Sequence, residues 1–298
     1  MTLKSGFVTV IGRPNVGKST FTNYLTGRKI SIMSPKPQTT RNTIRAILTN
    51  ELGQVVFMDT PGIHKPKNKL GDFMVKQALG SLNDVDLVIY MVEPIRGNIQ
   101  SEDLEISSNL NEVQTNKILI INKVDKYEKK DVLNTIDKYS KLVDFKEIIP
   151  MSIIKEDNTK DIEKIIFNYL EKGPMYFGED EVTDQPEKVV VSEYIREKLL
   201  LFLKEEVPHG IGVEVITFKE RTNKNLVDIE ATIYCEKKSH KGIIIGKQGS
   251  MLKKIGKSAR LDIEKLLGTK VYLTLWVKIK EDWRNSNSML KNLGYNDK

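Results

Sequence analysis

The residues best suited to chemistry lie close to the N-terminus, where residues 12–19 read G-R-P-N-V-G-K-S. Glycines at both ends of such a segment let backbone N–H groups crowd around phosphate oxygens. Lys18 adds a positive charge that reaches the outer phosphates, and the Ser19 hydroxyl is a suitable ligand for Mg²⁺. The spacing therefore predicts a loop that binds a nucleotide through Gly12, Asn15, Val16, Gly17, Lys18, Ser19 and Thr20.

Two later segments could meet the same nucleotide. Residues 59–62 read D-T-P-G, so an acid could hold the Mg²⁺ shell and a glycine N–H could meet the γ-phosphate. Residues 122–125 read N-K-V-D, and the last carboxylate could accept from N1–H and the N2 amino group of guanine, donors that adenine lacks as a pair. Alone, this second segment is equally typical of a solvated turn. With the first loop, the two segments predict a GTP site that includes Asp59, Gly62, Asn122, Lys123 and Asp125.

The predicted strands bring these three segments to one edge of a sheet. Residues 1–170 alternate short apolar runs with longer segments of helical spacing, which is typical of an α/β doubly wound domain. Each segment follows the carboxyl end of a predicted strand, where sheets of this kind bind their ligands. A helix over 20–25 follows the first loop. The predicted strands cover residues 7–11, 43–49, 54–58, 87–92, 117–121 and 147–151.

Length and charge divide the chain into two parts. Its 298 residues suffice for about two domains. Residues 171–187 carry one basic and six acidic side chains, with Pro and Gly but no apolar periodicity, which is typical of a linker. The sequence predicts a first domain over 1–172, an acidic linker over 173–187, and a smaller α+β domain over 188–298.

Composition excludes several classes of protein. No apolar run approaches the ~18 residues that a membrane span needs, and the N-terminus lacks the long apolar region of a signal peptide. We therefore expect a cytoplasmic protein. The single cysteine, Cys235, cannot form an internal disulfide and is best explained as a small buried strand residue. The net charge of +7 suits a polyanionic partner.

The second half carries a different glycine loop, I-I-I-G-K-Q-G at residues 243–249. The spacing of apolar residues around it predicts the element order α-β-β-α-α-β, with the loop between the two central helices. The ranges that define this order are 188–206 for the first helix, 212–221 and 226–236 for a strand pair, 250–267 for a helix, and 272–279 for the last strand.

Charge around this loop favours a nucleic acid as its ligand. Residues 237–260 hold eight Lys and Arg and no acid, and two glycines would let the backbone approach phosphates. A glycine pair alone is a poor signal, and a basic stretch is usually a solvated face. The combination favours RNA binding through Gly246, Lys247, Gln248, Gly249, Lys253, Lys254 and Lys257.

For several apolar side chains of this half, the sequence predicts whether they are buried in the core. Trp276 lies in an apolar strand and is expected in the core, whereas Trp283 could either stack on a base or pack against the sheet. A stripe on the long helix is expected in its core, namely Met251, Ile255, Ala259, Ile263 and Leu266.

The three nucleotide segments resemble the motifs of translation-factor-like GTPases, and the second half resembles a type II KH domain, whose glycine loop clamps single-stranded nucleic acid. Nearly all 298 residues are similar to the Era family of bacterial ribosome-assembly GTPases. The resemblance implies hydrolysis of GTP coupled to binding of 16S ribosomal RNA near its 3′ end in 30S subunit assembly. It also implies a monomer, partly associated with the inner membrane surface. Two rivals stay open: an RNA-binding chaperone whose nucleotide is structural, and a phosphotransferase.

The resemblance also assigns residues outside the three segments. Residues 37–41 correspond to the family's first switch, with Thr40 closing on Mg²⁺ in the GTP state and Thr39 as the fallback. Ser152 and Ile153 match the fifth nucleotide motif, which contacts the guanine O6 side through its backbone. The catalytic assignments are Lys18, Thr40 and Gly62.

One position changes how hydrolysis must be explained. Ras-like enzymes carry a water-orienting glutamine after D-x-x-G, but this chain has Ile63, which cannot orient water. His64 could act as a base, although an exposed switch-loop residue is the favoured interpretation. GTPases that resemble this chain and carry Asn at the position of Asn15 can bind K⁺ there. Asn15 could equally be a cap of the loop, and both interpretations stay open.

Overall fold

The computed structural model describes residues 3–221 and 225–295, and these divide into two compact units. The first unit comprises residues 3–33, 40–67 and 71–184. The second comprises residues 34–39, 68–70 and those from Gln185 onward. The short segment 34–39, which overlaps the expected first switch, therefore packs with the second unit.

The first unit is built on a sheet in the order β2-β3-β1-β4-β5-β6, where every neighbouring pair is parallel except β2 and β3. Each predicted strand is confirmed to within a few residues, because continuous apolar runs mark strands that are covered on both faces. The strands are β1 (Lys4–Ile11), β2 (Ile44–Asn50), β3 (Gly53–Asp59), β4 (Leu87–Val92), β5 (Asn116–Ile121) and β6 (Glu147–Pro150). The helices are α1 (Lys18–Thr26), α2 (Lys69–Gly80), α3 (Ser101–Asn111), α4 (Lys129–Ser140) and α5 (Ile162–Asn168).

The acidic segment 173–187 differs from the expected linker, since residues up to Asp184 belong to the first unit. The carboxamide of Gln54 explains part of this difference. Its Oε1 accepts hydrogen bonds from the backbone N–H groups of Tyr176 at 2.8 Å and Phe177 at 2.9 Å. A buried side-chain amide thus ties the acidic segment to β3, and sequence spacing does not reveal such a contact.

The second unit has the predicted order α-β-β-α-α-β. Its sheet runs β7-β8-β9, with β7 antiparallel and β9 parallel to the central strand. The elements are α6 (Glu187–Phe202), β7 (Gly212–Glu220), β8 (Leu226–Cys235), α7 (Lys238–Ile245), α8 (Ser250–Leu267), β9 (Lys270–Ile279) and a short α9 (Asn287–Asn292).

Packing of the second unit corrects two predictions. Ile255 and Ile263 are fully buried on α8, but Leu266 at the end of the stripe is 41% exposed. Trp276 is 54% exposed, so its assignment to the core was wrong. Side chains of a strand alternate between two faces, and Val277 of β9 takes the buried face. Trp276 therefore lies on the opposite face, where its indole N–H donates to Glu230.

Trp283 packs within the second unit instead of standing free. The ring is fully buried, its Nε1–H donates to the Gly210 carbonyl at 2.9 Å, and it stacks on Tyr295 with ring centroids 6.4 Å apart. Of the two interpretations of Trp283, the structure favours packing. Cys235 is fully buried, as expected. Among the helices of the described residues, none is long and apolar enough to cross a bilayer.

Candidate functional site

The loop between β1 and α1 is locked against the end of β5. Asn122, only 3% exposed, donates from Nδ2 to the Val16 carbonyl at 2.8 Å. Gly17 has a φ of +114°, and a Cβ added there would lie 2.2 Å from Asn122 Nδ2. Only glycine fits this position, because a larger residue would collide with Asn122 of the N-K-V-D segment. Helix α1 begins at Lys18, which directs the N–H groups of Ser19 and Thr20 toward the loop.

Lys18 is buried inside the loop that it serves. Lys18 is only 6% exposed, and Nζ donates to the carbonyls of Gly12 and Arg13, both at 2.9 Å. Burial lowers the pKa of Lys18 to about 8, although the nearby Asp59 opposes this effect. A buried ammonium surrounded by backbone groups is a strong potential partner for phosphate, because low dielectric strengthens its field.

Three oxygen-bearing side chains of the first unit converge on one point. The hydroxyls of Ser19 and Thr40 are 2.9 Å apart. Asp59 is completely buried, and neither of its carboxylate oxygens accepts a hydrogen bond of normal geometry. Burial raises the pKa of Asp59, and the hydroxyls of Ser19 and Ser31 only partly counteract it. A buried carboxylate with two unsatisfied oxygens beside two hydroxyls is a donor set that fits Mg²⁺.

The geometry distinguishes the two threonines of the first switch. Thr39 donates its hydroxyl to the Lys36 carbonyl at 2.6 Å, within its own segment. Thr40 instead lies beside Ser19. Of the two, Thr40 is the residue whose hydroxyl the structure brings to Ser19.

The guanine side of the site contains a hydrogen bond that sequence reasoning missed. Ser152 donates its hydroxyl to Asp125 Oδ1 at 2.6 Å and thereby fixes the carboxylate that would face guanine. Its backbone N–H is already donated to the Asp157 carbonyl at 3.1 Å. The N–H of Ile153 makes only a long 3.3 Å bond to Asn122 Oδ1, so of these two N–H groups it is the one less strongly engaged. A serine 27 positions after an aspartate gives no signal of such a contact.

Lys123 links the base-recognition segment to the phosphate loop. Its Nζ donates to the Asn15 carbonyl and to Glu93 Oε1, both at 2.5 Å. Asn15 itself is exposed and has a φ of +66°, a conformation that asparagine tolerates better than most residues. This geometry is compatible with both interpretations of Asn15.

The residues that follow D-T-P-G lie close to the phosphate loop. Gly62 is buried so tightly that an added Cβ would be 2.6 Å from the backbone of Pro14. Ile63 is 2% exposed and joins a hydrophobic cluster, so its side chain cannot meet a water molecule at the γ-phosphate. His64 is half-buried, with Nδ1 2.8 Å from the Gly62 carbonyl, rather than exposed as expected.

The glycine loop of the second unit is exposed to solvent, whereas the side chains around the phosphate loop are buried. Gly246 and Gly249 have φ values of +73° and +77°, and Gln248 between them has +51°. Lys247 and Gln248 are exposed at the turn. Lys253, Lys254 and Lys257 are exposed on α8, although Lys254 also places Nζ 4.4 Å from the centroid of the Phe202 ring.

Comparisons with known proteins agree with both halves. A family model described as a 50S ribosome-binding GTPase matches residues 7–123, and a KH domain model matches residues 206–284. The GTPase Era of Ruminiclostridium cellulolyticum is 59% identical over 297 residues, covering 99% of this chain and 98% of that protein. The chain belongs to the Era family of GTPases. The Era of Clostridioides difficile is 55% identical over 296 residues, and 99% of each chain is covered.

Solved Era structures share the whole fold. A crystal structure of Era with MgGDPNP and nucleotides 1506–1542 of 16S ribosomal RNA has a TM-score of 0.94 and 39% identity, covering 99% of this chain and 100% of that one. An Aquifex aeolicus Era variant bound to GDP and AlF₄⁻ has the same TM-score, 38% identity and the same coverage. The predicted fold class and GTPase activity are confirmed by membership of the Era family.

Proposed function

We propose that this chain hydrolyses GTP to GDP and phosphate with Mg²⁺ and binds 16S ribosomal RNA near its 3′ end during assembly of the 30S subunit. The observation that carries the first part is the buried Asp59 carboxylate, whose oxygens accept no hydrogen bond of normal geometry and which lies near the Ser19 hydroxyl. The Thr40 hydroxyl is 2.9 Å from that of Ser19. A buried carboxylate in this condition is costly unless a cation completes the site.

The residues divide the work on the phosphates. Lys18 exchanges its bonds to loop carbonyls for phosphate oxygens, and the N–H of Gly62 donates to the γ-phosphate. Ser19, Thr40 and Asp59 would hold Mg²⁺, which supplies positive charge against the charge that develops on the phosphate oxygens. Water attack is assisted by backbone donors and electrostatics, because Ile63 is buried in a hydrophobic cluster.

Specificity for guanine lies with Asp125. Its carboxylate accepts from the two adjacent donors of guanine, and the Ser152 hydroxyl holds it in place. The Ile153 N–H donates to O6. Asn122 supports both sides of the site, since it bonds to Val16 of the phosphate loop and to Ile153.

Exposure and charge support RNA binding by the glycine loop. Lys247 and Gln248 are exposed between two glycines of positive φ, and the surrounding stretch 237–260 has no acid. A relative of the same fold is crystallised with a segment of 16S ribosomal RNA. Lys253, Lys254 and Lys257 extend the basic surface along α8.

We also propose that the protein associates peripherally with the inner membrane surface, for which the net charge of +7 is the support. When anionic vesicles are sedimented, we expect the protein to be found in the pellet at low salt and in the supernatant at high salt. Equal retention by neutral vesicles would contradict an electrostatic association.

The experiment that tests the enzymatic part is multiple-turnover phosphate release with GTP, in competition with ATP. We expect sustained release that excess ATP does not inhibit and that chelation of Mg²⁺ abolishes. Tight nucleotide binding without turnover would favour a chaperone with structural nucleotide, and inhibition by ATP would favour a phosphotransferase.

A further inference from the structure

Glu93 lies directly after the carboxyl end of β4, and its carboxylate makes two contacts within the first unit. Oε1 accepts a hydrogen bond from Lys123 Nζ at 2.5 Å, and Oε2 accepts one from the Tyr127 hydroxyl at 3.1 Å. The side chains of Glu93 and Lys123 are 24% and 22% exposed, so salt screens this ion pair less than a pair at the surface. Both carboxylate oxygens are therefore engaged by residues that follow β5.

Lys123 uses the same Nζ to reach the phosphate loop, where it donates to the Asn15 carbonyl at 2.5 Å. Lys123 has a φ of +65° and Asn15 has a φ of +66°, so this bond joins two left-handed backbone positions. For residues with a side chain such conformations cost free energy and persist only where the surroundings hold them. The bond therefore helps to hold both the base-recognition segment and the phosphate loop in these conformations.

The Glu93 carboxylate determines where the Lys123 ammonium points. This ammonium stands on a flexible four-carbon stem, so a second, charged acceptor restricts its direction more than the Asn15 carbonyl does alone. Tyr127 in turn restricts the carboxylate through its bond to Oε2. Burial raises the pKa of Tyr127, and the charge of Glu93 adds to this effect, so the hydroxyl keeps its proton and donates. The Arg96 guanidinium lies over the Tyr127 ring, 5.4 Å from its centroid, and supports it from the other side.

We propose that Glu93 is a positioning residue for nucleotide binding, which holds the Lys123 ammonium on the Asn15 carbonyl and so fixes the spacing between the base-recognition segment and the phosphate loop. This inference rests on the proposed role of the N-K-V-D segment in binding guanine. A nucleotide occupies both ends of the site at once, and it binds more tightly when their spacing is set in advance. A carboxylate has no donor to offer a phosphate, so Glu93 acts through Lys123.

The charge of Glu93 allows a positioning role to be separated from a purely electrostatic one. A carboxylate near the phosphate loop repels an anionic nucleotide. If only this charge mattered, its removal would strengthen nucleotide binding. If Glu93 positions Lys123, the same change should weaken nucleotide binding. The two roles therefore predict effects of opposite sign.

The test is the full-length Glu93→Gln variant, which keeps the size of the side chain and removes its charge. We expect GDP affinity to fall about tenfold, the size of one hydrogen bond to a charged group. The KM for GTP should rise by a similar factor. The kcat at saturating GTP should stay at the wild-type value, because the contacts of Glu93 lead to Asn15 and not to the proposed Mg²⁺ ligands. A role in folding alone would instead lower kcat together with the fraction of folded protein.

Glu128→Gln is the matched control, since Glu128 forms an exposed pair with Lys130 at 2.8 Å in the same unit. Its GDP affinity should equal that of the wild type. Tyr127→Phe covers the case in which Glu93→Gln fails to fold, as judged by its thermal melt. It removes the bond to Glu93 Oε2 and should weaken GDP binding by a smaller factor. Unchanged or higher GDP affinity in the folded variant would overturn the inference, as would an equal loss in Glu128→Gln.

Lys123→Met separates this inference from the proposed function beneath it. In a Lys123→Met background, Glu93→Gln should not weaken GDP binding further, and an additive loss would contradict an action through Lys123. If Lys123→Met weakens GDP binding but Glu93→Gln does not, only the positioning role of Glu93 fails. If Lys123→Met also leaves GDP affinity unchanged, the proposed role of the N-K-V-D segment is wrong.

Discussion

The chain uses two glycine loops at the starts of helices, and they differ in how they are enclosed. Around the phosphate loop, Lys18, Asp59 and Asn122 are buried, and Asn122 also ties the end of β5 to the loop through the Val16 carbonyl. Around the loop of the second unit, Lys247 and Gln248 are exposed. The interaction energy of a charge or hydrogen bond is larger in a buried site, where the dielectric constant is low. At an exposed surface each charged contact is screened by salt, so binding depends on the sum of many weak contacts. We therefore expect nucleotide binding and hydrolysis to be sensitive to the loss of single side-chain groups. RNA affinity should instead depend on the total charge of the exposed surface.

The largest expected effect of a single change is at Thr40. Thr40→Ala should lower GTP turnover by roughly a hundredfold to a thousandfold, the range seen when one preorganised electrostatic contact is lost. Thr40→Ser keeps the hydroxyl and should retain most activity. Thr39→Ala is the matched control, since the Thr39 hydroxyl is bonded within its own segment. A larger loss in Thr39→Ala than in Thr40→Ala would show that the threonine roles are reversed.

A smaller effect is expected on the guanine side. Asp125→Asn should weaken GDP binding by about 1.5 to 3 kcal/mol, the value of a charged hydrogen bond, and shift preference toward xanthine nucleotides. Ser152→Ala leaves the carboxylate in place but removes its 2.6 Å donor, and should cost about 0.5 to 1.5 kcal/mol. Nucleotide titrations with GDP and XDP measure both. Wild-type GDP affinity in Asp125→Asn would mean that guanine is recognised elsewhere.

Burial of Lys18 predicts a pH dependence. Its pKa is lowered to about 8, so the ammonium is charged below that pH and neutral above it. Affinity for GDP should therefore fall by about tenfold between pH 7 and pH 9, since only the charged form attracts phosphate. Guanosine is the control, because it lacks phosphates and reports any change in the base. Parallel profiles for GDP and guanosine would remove Lys18 as the cause.

The smallest effect concerns Asn15. If Asn15 helps to bind K⁺, replacing K⁺ by Na⁺ should lower GTP turnover by a few-fold, and Asn15→Ala should abolish the difference. Phosphate release in matched K⁺ and Na⁺ buffers measures this. Equal wild-type rates in both salts would leave Asn15 as a cap of the loop.

Much of the fold could be predicted because it depends on local pattern. Buried parallel strands appear as apolar runs, so the sequence predicts the bounds of β4 and β5 to within one residue. The exposure of Trp276 does not follow from the apolar content of its strand, because the alternation of side chains puts Val277 on the buried face. The attachment of the acidic segment to β3 does not follow from its composition, because it is made by the side-chain amide of a distant residue, Gln54.

The candidate site divides in the same way. Loop residues such as Lys18 and Asp59 could be assigned because their types must recur at fixed offsets from a strand end. The bonds from Ser152 to Asp125 and from Lys123 to Glu93 join positions far apart in the chain. Contacts of that kind arise from tertiary packing and leave no local signature.

The contrast between the buried phosphate loop and the exposed glycine loop of the second unit is tested most directly on the exposed loop. The measurement is a salt-dependent titration of RNA matching nucleotides 1506–1542 of 16S ribosomal RNA with a Lys247→Asp, Gln248→Asp double variant whose thermal melt matches wild type. We expect RNA binding to be lost, any residual binding to have a salt slope flatter by about 0.7, and RNA to lose its effect on GTP turnover. Basal turnover serves as the internal reference. Unchanged RNA affinity in this variant would show that the glycine loop and the basic stretch 237–260 are a solvated face, and would contradict the account.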